Sequence, residues 1–272
     1  MKCDFHLHSN FSDSSRSVED IIDLAKAKGL EAISIVDHDT TETYAYIKTL
    51  DLDQTLKIIP GLEISAYDYK NMRKVHLLAY NYQEPAVNIN RLCQETLAKR
   101  NANSEEKLRL LEENSYAIDH DQINRSKNST QTLYKQHIMA GLTGGDFNSK
   151  AYQDLYKSIF KNGGLADFDI EYVDVFKAME AVLADGGLPV LAHPGELDSF
   201  SIVGDLVAKG LKGIEVYHSS HSKEDEQRAL NLAQDYGLFI TGGSDDHGAY
   251  GKKVDLGTVD LDQDQLGPLL KS

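Results

Sequence analysis

Residues 1–39 read MKCDFHLHSNFSDSSRSVEDIIDLAKAKGLEAISIVDHD, and a β–α–β order is written in them. Cys3 to Leu7 reads as a strand. Ser17, followed three residues later by Asp20, is a capping-box-like helix start. Val18, Ile21, Ile22 and Ala25 then share one helical face, and Gly29 marks its end. Ala32 to Val36 is the next strand. A helix of this length between two short apolar runs is the repeating unit of a parallel sheet or βα barrel.

The same alternation continues outward. A second helical segment follows Thr40-Thr41, and Lys57 to Pro60 and Val75 to Tyr80 read as further strands. From about Pro85 to Gly187 strand signal gives way to helical periodicity, as in Arg100 to Asn114 and Tyr172 to Ala184. Gly144-Gly145, Gly163-Gly164 and Gly186-Gly187 punctuate it. Beyond Gly187 the alternation resumes, with strands at Leu188–Ala192, Gly213–Tyr217 and Leu238–Gly242 and helices at Ser201–Lys209 and Lys223–Tyr236. The expected fold class is α/β, a βα-type barrel in two parts, residues 1–84 and 188–272, interrupted by a helical insertion at 85–187.

Charge narrows the function. A formal net charge of −15 over 272 residues argues against a protein that wraps nucleic acid or lies on a membrane, since both need basic patches. Small phosphorylated substrates stay open, because bound divalent cations can supply the missing positive charge. No run of about 18 apolar residues occurs, and Met1 to His6 lacks the apolar core of a signal peptide. Cys3 and Cys93 form no disulfide framework or CxxC pair, which fits reduced thiols in the cytoplasm.

Ligand-type residues recur at the ends of the expected strands. His6 and His8 end the first and Asp37-His38 the second; Glu63 follows the third, in Pro60-Gly61-Leu62-Glu63. His76 lies in or opens the fourth, His193-Pro194 ends the strand after the insertion, and Ser244-Asp245-Asp246-His247 follows the last. In a βα barrel those ends converge on one face, where active sites are built. Imidazoles with carboxylates, and no thiolates, suit a catalytic cluster of zinc, manganese or iron rather than a structural zinc site. His6 and His8, two apart on a strand, point the same way and can bind one ion together. Taken singly, each motif has a plain structural reading: an exposed histidine, a helix cap, a turn. Their recurrence at five or six strand ends sets those readings aside.

The ordered set His6-x-His8, Asp13, Asp37-His38, Pro60-Gly61-x-Glu63, His76, His193-Pro194 and Ser244-Asp245-x-His247 resembles the PHP (polymerase and histidinol phosphatase) superfamily. It is most similar to that family's stand-alone phosphoesterases with a helical insertion, the nucleoside 3′,5′-bisphosphate phosphatases and 5′–3′ exoribonucleases. The resemblance implies a distorted (β/α)7 barrel with two or three divalent ions, manganese, iron or zinc, with magnesium a further candidate. It implies His6, His8, Glu63 and Asp245 around one ion, Asp13, His38 and His247 around a second, and Glu63, His76 and His193 around a third, with Glu63 bridging. The implied reaction is phosphoester hydrolysis by metal-activated hydroxide, on a nucleotide bisphosphate or a short 5′-phosphorylated RNA. No protein partner is indicated. Relatives carry Gly after the Asp13-type residue, Pro before the first helix and Arg-Pro-His in the insertion. This chain has Ser14, Ser17 and Lys135-Gln136-His137, which leaves the substrate contacts open.

Among the remaining polar residues, His218 and His221 follow the Gly213–Tyr217 strand. One of them is expected to contact phosphate or protonate the leaving group, His221 being the catalytic candidate and His218 the binding one. Arg100 and His137 in the insertion are candidate substrate contacts, Arg125 and Lys135 weaker ones, and His120 a surface residue. Asp37 and Asp39 are candidates to orient ligand histidines, Asp39 equally a helix cap. Rival functions are histidinol phosphate hydrolysis, C–N bond hydrolysis on the same ions, and a metal-binding regulatory domain.

Overall fold

The computed structural model describes residues 1–53, 55–127, 129–261 and 263–270. The first half of the fold is β1 (Lys2–Leu7), α1 (Val18–Ala27), β2 (Ala32–Ile35), α2 (Glu42–Ile47), β3 (Lys57–Ile58), β4 (Gly61–Asp68) and β5 (Arg73–Tyr80). Four helices follow, α3 (Val87–Glu113), α4 (His120–Lys127), α5 (Lys135–Leu142) and α6 (Lys150–Phe160). The chain then runs through β6 (Val173–Asp174), α7 (Val175–Ala184), β7 (Leu188–Leu191), α8 (Val203–Val207), β8 (Gly213–His218), α9 (Lys223–Tyr236), β9 (Phe239–Gly243) and β10 (Val259–Asp260). The Ser17–Asp20 capping box forms as the sequence indicates.

The fold is mixed α/β, but its strands divide between two sheets, ordered β10-β1-β2-β3 and β6-β4-β5-β7-β8-β9. The expectation of uniformly parallel strands needs correction. β5 runs antiparallel to both of its neighbours, β4 and β7, and β10 runs antiparallel to β1. Two isolated parallel bridges, Leu7 with Asp246 and His38 with Glu63, join the sheets beside the polar cluster described below.

β4 was not anticipated, and it carries Glu63 as its third residue rather than beyond a strand end. Its site-facing positions Glu63 and Ser65 are polar and alternate with the buried apolar Leu62, Ile64 and Ala66, a period-two pattern with its polar face turned to the cluster. His76 sits opposite Ser65 across the β4–β5 ladder, on the same face as Glu63. Val173–Asp174 likewise pairs with β4, where helix was expected from Tyr172 onward.

The main core joins Phe5, Leu62, Ile64, Leu77, Leu191 and Ile214 to α7 and the start of α3. α1 packs on the other side of β1 and β2 through Val18, Ile21, Ile22 and Ala25. The helices after mid-α3 have a core of their own, with Leu111, Ile123, Ile138, Met139, Ile159 and Phe160.

Candidate metal centre

Glu63 is the hub. Its side chain is 1% exposed, and five imidazoles face its two oxygens. Oε2 lies 3.3 Å from His6 Nε2, 3.2 Å from His8 Nε2 and 3.3 Å from His38 Nδ1. Oε1 lies 2.8 Å from His76 Nδ1 and 2.9 Å from His193 Nε2. Asp245 Oδ1 completes the near side, 3.5 Å from His6 Nε2 and 3.2 Å from His8 Nε2. Asp13 Oδ1 faces His247 Nε2 at 3.3 Å, and the rings of His8 and His247 stack with centroids 4.2 Å apart. The nine ligand candidates named from the sequence thus form one connected, largely buried group.

Close approach of backbones makes this possible. At Gly243, which ends β9 two residues before Asp245, a Cβ would stand 2.3 Å from His6 Cβ. At Gly61 it would stand 2.4 Å from Ser34 Oγ, so glycine lets β4 lie against β2. Asp245 and His193 both adopt positive φ, 57° and 21°, an uncommon backbone for non-glycine residues that turns both side chains back over the sheet.

Electrostatics ties the group together. Burial alone would raise Glu63 and Asp245, but surrounding histidines hold both well below the usual carboxylate range. Burial opposes charge on His193 and His247, yet Glu63 lifts His193 to about 9 and Asp13 with Asp245 lifts His247 to about 10. Desolvation wins at His38, pushed down to about 3. So many imidazoles cannot all carry protons together. Both ring nitrogens of His8, Nδ1 of His38 and His193, and Nε2 of His218 are buried with no hydrogen-bond partner. Orphaned nitrogens beside ionised carboxylates are the donor set a divalent cation satisfies. Several groupings have donor atoms within 4.8 Å of one another, among them His8, Asp13, His38 and His247; His6, His8 and Asp245; His6, Glu63 and His193; and His38, Glu63 and His76.

The residues expected to surround the ligands fall differently. Asp37 and Asp39 contact no ligand histidine among the described hydrogen bonds, which corrects their expected role. Asp37 accepts from Ser9 N (2.8 Å), Ser9 Oγ (2.5 Å), Ser12 Oγ (2.5 Å) and Thr43 Oγ1 (2.7 Å), so it shapes the loop that delivers Asp13. Asp39 accepts from Ser65 N at 2.9 Å and pairs with Arg100 at 2.7 Å. Arg100 reaches the site, stacked over Tyr134, but one arm of its fork is held by Asp39 and Ser65. His221 donates from Nδ1 to Val216 O (2.8 Å) and accepts at Nε2 from Gly195 N (3.1 Å). Both of its nitrogens serve the backbone, which leaves none for a leaving group. His218 is buried with Nε2 3.5 Å from Asp245 Oδ2. His137 is buried too, accepting from Tyr134 N at Nδ1, with burial pushing it down to about 4. His120 lies at the surface beside Glu112.

Two contributions escaped the sequence reading. Glu215, fully buried in β8, faces His6 Nδ1 at 3.0 Å and accepts from His193 N at 2.8 Å. A lone carboxylate inside the apolar run Gly213-Ile214-Glu215-Val216 was the available signal. Gln136, at the start of α5, donates to Asp13 Oδ2 at 2.8 Å, and Tyr134 OH donates to His38 O at 3.3 Å, so the helical segment touches the ligand loops directly. A cavity of about 240 Å³ opens between them, lined by Asp245 and His247 on one side and Gln136, Tyr152 and Tyr156 on the other.

Comparison with known proteins gives the family. The PHP domain model matches residues 4–188. The phosphoribosyl 1,2-cyclic phosphate 1,2-diphosphodiesterase of Eggerthella lenta is 42% identical over 254 residues, 93% of this chain and 97% of that protein. The 3′,5′-nucleoside bisphosphate phosphatase of Chromobacterium violaceum is 25% identical over 256 residues, covering 90% and 86%. A solved structure described as a metal-dependent phosphoesterase from Bifidobacterium adolescentis superposes with a TM-score of 0.87 at 26% identity, over 99% of this chain and 95% of that one. With most of its length matched by the family's domain and a close relative aligned along nearly the whole of both chains, this protein belongs to the PHP family and hydrolyses phosphoester bonds.

Proposed function

We propose that the chain hydrolyses the phosphodiester of a small phosphorylated sugar, a 1,2-cyclic phosphate of phosphoribose. The observation that carries this reading is the 42% identity, over 97% of its length, to a relative named for that activity. The cavity of about 240 Å³ beside Asp245 and His247 supports it, being of sugar-phosphate size. A nucleoside 3′,5′-bisphosphate is the second reading, favoured by the 25% identical relative named for it. Either substrate fits a net charge of −15 only if cations accompany it into the site.

The ligand assignment belongs to the same proposal. His6, His8, Glu63 and Asp245 hold one ion, Asp13, His38 and His247 a second, and Glu63, His76 and His193 a third. Glu63 bridges, in keeping with its two oxygens facing different histidines. Manganese, iron or zinc suits so many imidazoles better than magnesium does. When bound, the ions supply Lewis acidity and an activated water to the phosphoester. The chain's own part is positional. Asp37 holds the loop of Asp13, and Gln136 brings the helical segment down onto that loop. The tyrosines of the cavity wall and Lys252 carry donors for the non-reacting end of the substrate. In a cyclic diester, water adds to phosphorus as one ring P–O bond breaks, and the departing oxygen takes a proton. A second hydrolysis of the resulting monoester would release phosphate.

The two isolated bridges support a ring of β1, β2, β4, β5, β7, β8 and β9, the order of a distorted seven-stranded barrel. The division into residues 1–84, 85–187 and 188–272 fits the separate core of the later helices, with α7 and the start of α3 packed on the sheet side. No described helix is long and apolar enough to cross a membrane. Cys3 and Cys93, both buried as thiols, support a cytoplasmic setting.

The test is a substrate panel with manganese- or zinc-loaded protein: phosphoribosyl 1,2-cyclic phosphate, a nucleoside 3′,5′-bisphosphate, histidinol phosphate and a short 5′-phosphorylated RNA. The expected outcome is a kcat/KM for the cyclic phosphate at least about 100-fold above the others, or about 2.7 kcal/mol of discrimination. Preference for the bisphosphate would replace the first reading with the second. Activity that survives removal of metal would overturn both.

A further inference from the structure

Glu215 stands in the middle of β8, flanked by Ile214 and Val216, and is fully buried. Removing a carboxylate from water costs several kcal/mol unless its oxygens are well partnered. Its described partners all belong to the candidate ligands. Oε1 and Oε2 lie 3.0 and 3.2 Å from His6 Nδ1, and Oε2 accepts the backbone N–H of His193 at 2.8 Å. We propose that Glu215 is a positioning residue of the metal centre, one that fixes the tautomer and aim of His6 and ties that ring to His193 across Glu63. The inference rests on the assignment of His6 and His193 as ligands.

The physical argument is short. A carboxylate can only accept, so His6 Nδ1 must carry the proton and Nε2 the lone pair. That lone pair faces Glu63 Oε2 at 3.3 Å and Asp245 Oδ1 at 3.5 Å, where an ion would be shared. The bond from His193 N anchors the residue whose own Nε2 reaches the other oxygen of Glu63 at 2.9 Å. One buried side chain on β8 therefore holds members of two ligand groups in register. Carboxylate–histidine pairs of this type raise ligand basicity and lock ring orientation. The competing arrangement is a cation held by His6, Glu215 and His218, whose donor atoms also lie within 4.8 Å of one another. It would need a bare Nδ1 on His6, whereas both carboxylate oxygens sit at donating distance from that atom, and His218 Nε2 faces Asp245 instead.

The experiment compares wild type, Glu215→Gln, Glu215→Asp and His6→Ala by zinc titration against a chelator, with ion stoichiometry at saturation. Glu215→Gln should bind zinc about 10- to 100-fold more weakly while reaching the same stoichiometry, and Glu215→Asp should recover part of the loss. Nitrogen-15 NMR of the zinc-loaded wild type, labelled at histidine, should show His6 protonated at Nδ1 and metal-shifted at Nε2. That spectrum decides the matter even if a variant fails to fold. Unchanged affinity in Glu215→Gln, loss of a whole ion at saturation, or a His6 bound through Nδ1 would each overturn the proposal. If His6→Ala leaves zinc binding intact, the ligand assignment itself fails. If His6→Ala loses zinc while Glu215→Gln does not, only the role of Glu215 fails.

Discussion

Replacing Gly243 by alanine should disable the site without removing any ligand residue. The added Cβ would fall 2.3 Å from His6 Cβ and 2.4 Å from His6 N, well inside the 3.4 Å at which ordinary contact begins. The end of β9 must therefore retreat by about 1.1 Å from β1. Neither neighbour can absorb the shift, because the clash is with backbone and a β-carbon rather than a flexible tip. Asp245, two residues on, is hydrogen-bonded through its N–H to His6 O at 2.8 Å and would move with the strand. A displacement of about 1 Å in a catalytic constellation can cost about 100-fold in rate. Overpacking a filled interior adds about 1–3 kcal/mol of instability. Steady-state kinetics on the metal-loaded variant, with a urea melt, measures both. Gly144→Ala is the control, since nothing lies within 4 Å of its Cβ position. A Gly243→Ala enzyme with wild-type kcat and stability would refute the claim that this close approach sets the ligand geometry.

Three further outcomes follow from particular contacts. His221→Asn should keep kcat within about threefold and leave the pH–rate profile unshifted, because both ring nitrogens serve the backbone; loss of one limb of the profile would restore His221 as a proton donor. Arg100→Met should destabilise the fold by about 3 kcal/mol in a urea melt, since it strands the fully buried Asp39 without its cation, and a change in KM with no change in stability would instead mark Arg100 as a substrate contact. Gln136→Ala removes a hydrogen bond to the charged Asp13, worth about 1.5 kcal/mol, and should raise KM about tenfold with metal content unchanged. Loss of an ion in that variant would show Gln136 acting on the metal centre rather than on the substrate.

Much of the site was readable because its chemistry is unusual for the places it occupies. Histidines and carboxylates near the ends of apolar runs stand out against the background, so most of the ligand candidates could be named before any geometry, and the family resemblance added Asp13. Glu215 did not stand out, since a single acid in an apolar strand has several readings. His221 looked catalytic because it follows a strand that leads to the site. Its two backbone bonds depend on how residues 193–195 and 216 fold back, and nothing in the local spacing records that. β4 was missed although Leu62, Ile64 and Ala66 alternate with Glu63 and Ser65, because the run Lys57 to Pro60 reads as the strand and Pro60-Gly61 as the turn after it.

The amino-acid order alone determined the helix caps, the apolar faces, the helical segment between two sheet-forming regions and the choice of ligand candidates. These depend on neighbours within a few positions, where side-chain period and capping chemistry act. The tertiary structure decided which oxygen of Glu63 meets which histidine, that β5 runs against both its neighbours, and that Glu215 grips His6 from 209 residues away. Those outcomes depend on close approach between distant strands, set by the missing side chains of Gly61 and Gly243 and by the need to partner each buried charge.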